Sequence, residues 1–265
     1  MLAHLNLTQE AMAYGGYPLW YSHRVRRSPQ LSNLAECSEN AAHWHCFAIV
    51  RNPLDRAISS YIHVMGYWKP LGEPFIELGG QRDASFVEFV RALDSRAQTR
   101  TRFGGDEHFM PQWDVSGMDH KVDDVTMLSP HLLHIPIEML SEPGGYECPP
   151  LSPMTGWKVA ELEERYSAGN GGHYVAKATE SPPGSEHWPW ERLHAAVARH
   201  ATPAYDSFWN NTAFCQHVVG CLYRDDLALY VATCKQPSLR RCAAYRTACD
   251  GQLERLRTVC GLQIG

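Results

Sequence analysis

Cys46-Phe47-Ala48-Ile49-Val50-Arg51-Asn52-Pro53-Leu54-Asp55-Arg56-Ala57-Ile58-Ser59-Ser60-Tyr61 is the stretch on which the fold turns. Its first five residues are an unbroken apolar run. Such a run, closed by a turn signal, reads as a buried strand of a parallel sheet. Arg51 to Asp55 breaks it. Pro53 suits the first turn of a helix, where its missing N–H has no bond to lose, and Asp55 puts a negative charge near the positive end of the helix dipole. A helix over 54–66 follows, with Ile58, Tyr61, Ile62 and Met65 at helical spacing.

Further along the chain, residues 66–82 are rich in Gly and Pro and read as a loop. A helix is expected over 84–98, with Phe86, Phe89, Val90 and Leu93 on one face. A second loop covers 99–117. The apolar segment HLLHIPIEML at 131–141 has strand-then-turn character. Loops rich in Gly, Pro and Ser cover 142–156 and 167–190. Helices are expected at 190–201 and again from 203 to 260, one of them over 223–233. Toward the N-terminus, residues 2–14 could form a helix, but 1–45 otherwise read as an irregular segment. This order implies an α/β domain over 46–265, with a parallel sheet and a helical C-terminal part.

Composition narrows the function classes. The 265 residues carry 24 Lys plus Arg against 29 Asp plus Glu, a net charge of −5 with His neutral. That balance excludes a broadly basic, histone-like mode of nucleic-acid binding and leaves room for a local phosphate pocket. No apolar run reaches the length of a membrane span, and the first residues lack the basic and apolar regions of a secretory signal. A chain cut from a longer parent would read the same way.

Of nine cysteines, six lie in the last 51 residues: Cys215, Cys221, Cys234, Cys242, Cys249 and Cys260. This clustering points to a disulfide-bonded C-terminal region formed in an oxidising compartment. Cys37, Cys46 and Cys148 are scattered. No close Cys pair of zinc-site spacing occurs. His43-Trp-His45 would share a strand face, yet no second ligand cluster accompanies it, so no metal is expected. Sequons at Asn6 and Asn210 agree with a secretory setting.

Arg51, ending a buried strand, falls at the carboxyl edge of the sheet, where open α/β folds bind ligands. Its guanidinium fork suits a bidentate phosphate contact. Ser59, near the start of the next helix, adds a hydroxyl donor, and helix N-termini attract phosphate.

The pattern strand-R-[DN]-P-x-x-R-x-x-S-x-Y resembles the 3′-phosphate-binding element of sulfotransferases. Pro53, Arg56 and Tyr61 are similar to the Golgi carbohydrate branch of that family. Two further segments follow in order. Asp106-Glu107-His108-Phe109-Met110-Pro111-Gln112 resembles the branch's H-[WF]-x-P-Q segment, and Tyr223-Arg224-Asp225-Asp226-Leu227-Ala228-Leu229-Tyr230 resembles its late Y-x-x-D-x-x-x-[FY] helix. Pro136-Ile137-Glu138-Met139-Leu140 resembles the strand and E-x-L segment between them. The resemblance spans about residues 46–231.

The resemblance implies a three-layer parallel sheet of the P-loop nucleotide-binding type. It implies sulfuryl transfer from 3′-phosphoadenosine 5′-phosphosulfate to a carbohydrate hydroxyl in the Golgi lumen. Arg51 and Ser59 would hold the 3′-phosphate. His108 would be the general base, with Glu107 and Asp106 as carboxylate substitutes. No metal and no nucleic acid enter.

The family's upstream phosphosulfate loop, P-K-x-[GA]-[ST]-[ST], has no counterpart. The first 45 residues contain no Lys, and Gly15-Gly16 is followed by Tyr-Pro-Leu-Trp. Arg24, Arg26 and Arg27 read as a solvated basic patch. Either an N-terminal part is lacking, or the chain is a non-catalytic remnant that binds a glycan or a protein. A disulfide-stabilised interaction domain is a third expectation. Read without the resemblance, His108 is a loop histidine, Asp226 belongs to a solvated face, and Tyr230 is a core aromatic.

Overall fold

The computed structural model describes residues 46–67, 83–95, 132–145, 148, 184–198 and 203–264. The chain condenses into two compact units, each assembled from separated stretches. One comprises residues 1–50, 113–170 and 232–250; the other comprises 51–112, 171–231 and 251–265.

The first unit carries two strands, β1 (Cys46–Val50) and β2 (Leu132–Pro136). They pair in parallel, with Cys46 opposite Leu132 and Val50 opposite Pro136. Both expected apolar runs are therefore strands, and the long connection between them meets the need of a parallel pairing. After β2 the chain tightens into a 3-10 turn, Ile137–Ser141, that buries Met139 and Leu140. Gly145 follows with no room for a side chain, since a Cβ there would collide with the Met139 carbonyl.

The edge of β2 is closed by a side chain. Gln236 Nε2 donates to the His134 carbonyl at 2.5 Å, and its Oε1 accepts from the His134 N–H at 3.3 Å. One amide thus replaces a neighbouring strand at that residue and satisfies two buried backbone groups. Gln236 is held in turn. Its Nε2 also donates to the Thr233 carbonyl, its backbone N–H donates to the Tyr245 hydroxyl at 3.1 Å, and that hydroxyl donates to the Thr233 carbonyl. Burial pushes the Tyr245 hydroxyl pKa up to about 12.

The second unit is helical. Helix α1 (Pro53–Tyr67) starts at Asn52, whose side-chain oxygen accepts from the Leu54 N–H at 2.9 Å. Pro53 stands at the first helical position, as its geometry favours. Helix α2 (Phe86–Ser95) starts two residues later than expected because Ser85 caps it. Ser85 and Glu88 form a reciprocal capping box: Glu88 Oε2 accepts from both the Ser85 N–H and hydroxyl at 2.7 Å, and the Glu88 N–H reaches the Ser85 oxygen at 3.4 Å. These bonds hold the Glu88 carboxyl below its ordinary value of 4.5.

Helix α3 (Trp190–Ala198) leads to a 3-10 turn, Tyr205–Phe208, and then to α4 (Thr212–His217), capped by Asn211. A π turn, Val218–Leu222, connects α4 to α5 (Arg224–Thr233). Helix α6 (Ala243–Cys260) closes the described chain; its residues 251–260 belong to this unit and the preceding ones to the first.

The core of the helical unit is aromatic. Tyr61 of α1 meets Phe86, Phe89 and Trp190 with ring centroids 5.3–5.8 Å apart. Phe86 in turn meets Phe208, Trp209 and Phe214 edge-on. The Tyr61 hydroxyl donates to the Ala84 carbonyl at 2.9 Å, and burial drives its pKa far up. Tyr61, part of the motif read from the sequence, is therefore a core residue.

Three disulfides lie among the described residues: Cys148–Cys242 and Cys234–Cys249 in the first unit, and Cys215–Cys260 in the second. Disulfide bonding of the C-terminal region was expected. The membership differs in one respect. Cys148, read as scattered, joins the C-terminal set, while Cys221 is an exposed free thiol. Among the described residues, no helix is long and apolar enough to cross a membrane.

Candidate functional site

The start of α1 gathers the polar side chains. Arg51 and Ser59 are both half-buried in the helical unit, and both reach the same third residue, Tyr205. The Arg51 guanidinium carbon sits 5.9 Å from the Tyr205 ring centroid, within cation–π range. Burial raises the Tyr205 pKa; the Arg51 charge opposes this, Asp55 adds to it, and hydrogen bonding from Arg51 and Ser59 lowers it again. The two residues read as phosphate ligands thus converge on one side chain, Tyr205.

Tyr205 carries no local signal in the sequence, and its part in the site was missed there. The neighbouring residue explains its position. Asp206 Oδ1 accepts from Arg255 Nε at 2.7 Å and faces Arg255 Nη2 at 2.6 Å. The same Nη2 lies 2.8 Å from Asp55 Oδ1 in the first turn of α1. Arg255 Nη1 donates to Gln252 Oε1 at 3.1 Å, and that oxygen also accepts from Asn52 Nδ2 at 2.8 Å. Residues of α6 therefore tie the 205–208 turn to the start of α1. Burial alone would lower the Arg255 pKa, but Asp55 and Asp206 more than offset it, so Arg255 stays charged.

A second ion pair lies on the same helix. Arg56 Nε stands 3.0 Å from Asp226 Oδ2, with the Arg56 side chain 18% exposed and Asp226 at 0%. Asp226 is not on a solvated face; α5 turns it inward to Arg56. Tyr223, one turn earlier, is also fully buried, which pushes its hydroxyl pKa well up, and Ser60 hydrogen-bonds it. Arg56 of the first motif and Asp226 of the last are therefore direct partners. Tyr230 is buried, as a core aromatic would be.

A cation beside a hydroxyl at a helix start, half-exposed and backed by a neutralised ion-pair network, can receive a phosphate-like anion. Among the described residues no group of three or more His, Cys, Asp or Glu side chains is placed to hold an ion. Asp106, Glu107, His108, the Arg24 to Arg27 patch and His43 to His45 lie outside the described residues. No family model, no curated protein and no solved structure matches the chain.

Proposed function

We propose that this chain is a sulfotransferase of the carbohydrate type, built on a three-layer P-loop-like sheet of which β1 and β2 are neighbouring strands. The observation that carries this reading is the convergence of Arg51 and Ser59 on Tyr205, together with the pairing of Arg56 with Asp226. Chance short motifs have no reason to be physical partners; the R-N-P-x-x-R-x-x-S and Y-x-x-D segments are.

In this reading Arg51 and Ser59 hold the 3′-phosphate of 3′-phosphoadenosine 5′-phosphosulfate. The acceptor hydroxyl oxygen attacks sulfur in line. The bond from sulfur to the bridging phosphate oxygen breaks, and adenosine 3′,5′-bisphosphate departs with the electron pair. His108 takes the acceptor's proton, with Glu107 or Asp106 as the alternative base. A luminal Golgi setting agrees with the three disulfides.

A second reading has its own observation. The first 45 residues hold no Lys and no phosphosulfate-loop pattern. That favours a non-catalytic relative that keeps the nucleotide half-site and binds a glycan or protein. Transfer of radiolabelled sulfate to any glycan acceptor would exclude it.

Calorimetric titration with adenosine 3′,5′-bisphosphate tests the first reading. Saturable binding is expected, weakened at least ~10-fold in Arg51→Ala, since a charged hydrogen bond contributes about 1.5–3 kcal/mol. Unchanged affinity in that variant would overturn the assignment of Arg51. No binding by folded wild-type protein would favour the second reading.

A further inference from the structure

Residues 235–249 contain Lys235, Arg240, Arg241 and Arg246 and no Asp or Glu, in a chain whose net charge is −5. All four cations are exposed. The ion pairs of the described residues involve Arg56, His187, His217, Arg255 and Arg257, and none of these four.

The segment that displays them is held at every turn. The disulfide Cys234–Cys249 bounds it, and Cys242 at its middle is bonded to Cys148. Gln236 is clamped to His134, and Tyr245 to Thr233. Arg246 Nη1 donates to the Arg240 carbonyl at 2.7 Å. A run of turns, with Arg240 N–H on the Pro237 carbonyl and Cys242 N–H on the Leu239 carbonyl, fixes the backbone between the anchors. A fixed display of cations that have no ion-pair partner among the described residues pays little ordering cost on binding.

We propose that residues 235–246 form a binding surface for a sulfated glycan chain. Four exposed cations within twelve residues attract a polyanion that comes within a Debye length of about 8 Å. The disulfides place the surface in an oxidising compartment, where macromolecular polyanions carry sulfate and carboxylate on sugars. Nucleic-acid binding is disfavoured for a second reason. Single strands are gripped by stacking on exposed aromatics, and the aromatic of this segment, Tyr245, is fully buried. The proposal uses none of the residues assigned to sulfuryl transfer and does not rest on that reading.

The test is surface-plasmon binding of the full chain to an immobilised heparin oligosaccharide at physiological and raised salt. Three proteins are compared with wild type: Lys235→Gln/Arg240→Gln/Arg241→Gln, the charge-keeping Lys235→Arg/Arg240→Lys/Arg241→Lys, and Arg91→Gln/Arg192→Gln/Arg224→Gln. The last removes the same charge from exposed positions elsewhere. A cation at an anionic surface contributes about five-fold, so the first variant should lose ~100-fold. The charge-keeping variant should bind as wild type does, which separates charge from damage to the fold. Equal losses in the two charge-removing variants would overturn the proposal. So would a wild type that fails to bind heparin at physiological salt, or that binds a single-stranded oligonucleotide of matched charge more tightly.

Discussion

Removing the Arg56 guanidinium would take from the Asp226 carboxylate, which has no contact with water, its ion-pair partner. Breaking one half of a buried pair costs about 3–5 kcal/mol, because a desolvated charge is left behind. Arg56→Ala should therefore fall in that range in urea unfolding, while Arg56→Met with Asp226→Leu should recover most of the loss. A double variant no more stable than Arg56→Ala would mean that the pair is not the source. At this scale the sequence was legible only in part. Arg51, Ser59 and Arg56 stand within nine residues and share a helix start, so their kinship is visible in the string. Tyr205 and Arg255 are distant in sequence and carry no neighbouring pattern. Only tertiary packing brings them to α1.

Elements were easier to read, because their causes are local. The apolar run Cys46–Val50 and the helical stripe Ile58, Tyr61, Met65 follow from side-chain period alone. The start of α2 was misplaced although Ser85-x-x-Glu88 is a capping signature in plain view. Its effect on stability should be measurable. Glu88→Ala should cost about 1 kcal/mol at neutral pH. The folded carboxyl sits below 4.5, so its contribution is complete above that pH and is lost as pH falls through the folded value. The gap between wild type and Glu88→Ala should accordingly close in acid; a gap constant to pH 2 would refute the ionised box. The Gln236 clamp behaves in the opposite sense. Tyr245 must keep its proton to hold Thr233, and its pKa is raised from 10 to about 12. The stabilisation is present below pH 10 and disappears as pH rises through 12. Tyr245→Phe should remove that alkaline dependence, read by thermal unfolding from pH 9 to 12.

For the whole molecule, the cysteines carry the strongest expectation. Replacing Cys148 and Cys242 by Ser opens a loop of sequence separation 94, and replacing Cys234 and Cys249 opens one of 15. Loop-closure entropy makes the longer bond the more stabilising, about 4–5 against 3 kcal/mol. The reverse order in denaturant unfolding would place the stabilisation elsewhere. Thiol counting that finds all nine cysteines free would remove the oxidising-compartment argument altogether.

Both units also draw on residues 232–265: 232–250 belongs to one, and 251–265 to the other. Cys148 waits for Cys242, β2 waits for Gln236, and α1 waits for Arg255. At about 5–20 residues per second, the earlier segments stay unfinished until residues 232–265 have been added. Neither unit can then fold before that stretch is made, however much of the rest is already in place. A premature stop ahead of residue 232 would spare no half of the protein; it would leave two incomplete units exposed to chaperones and proteases together.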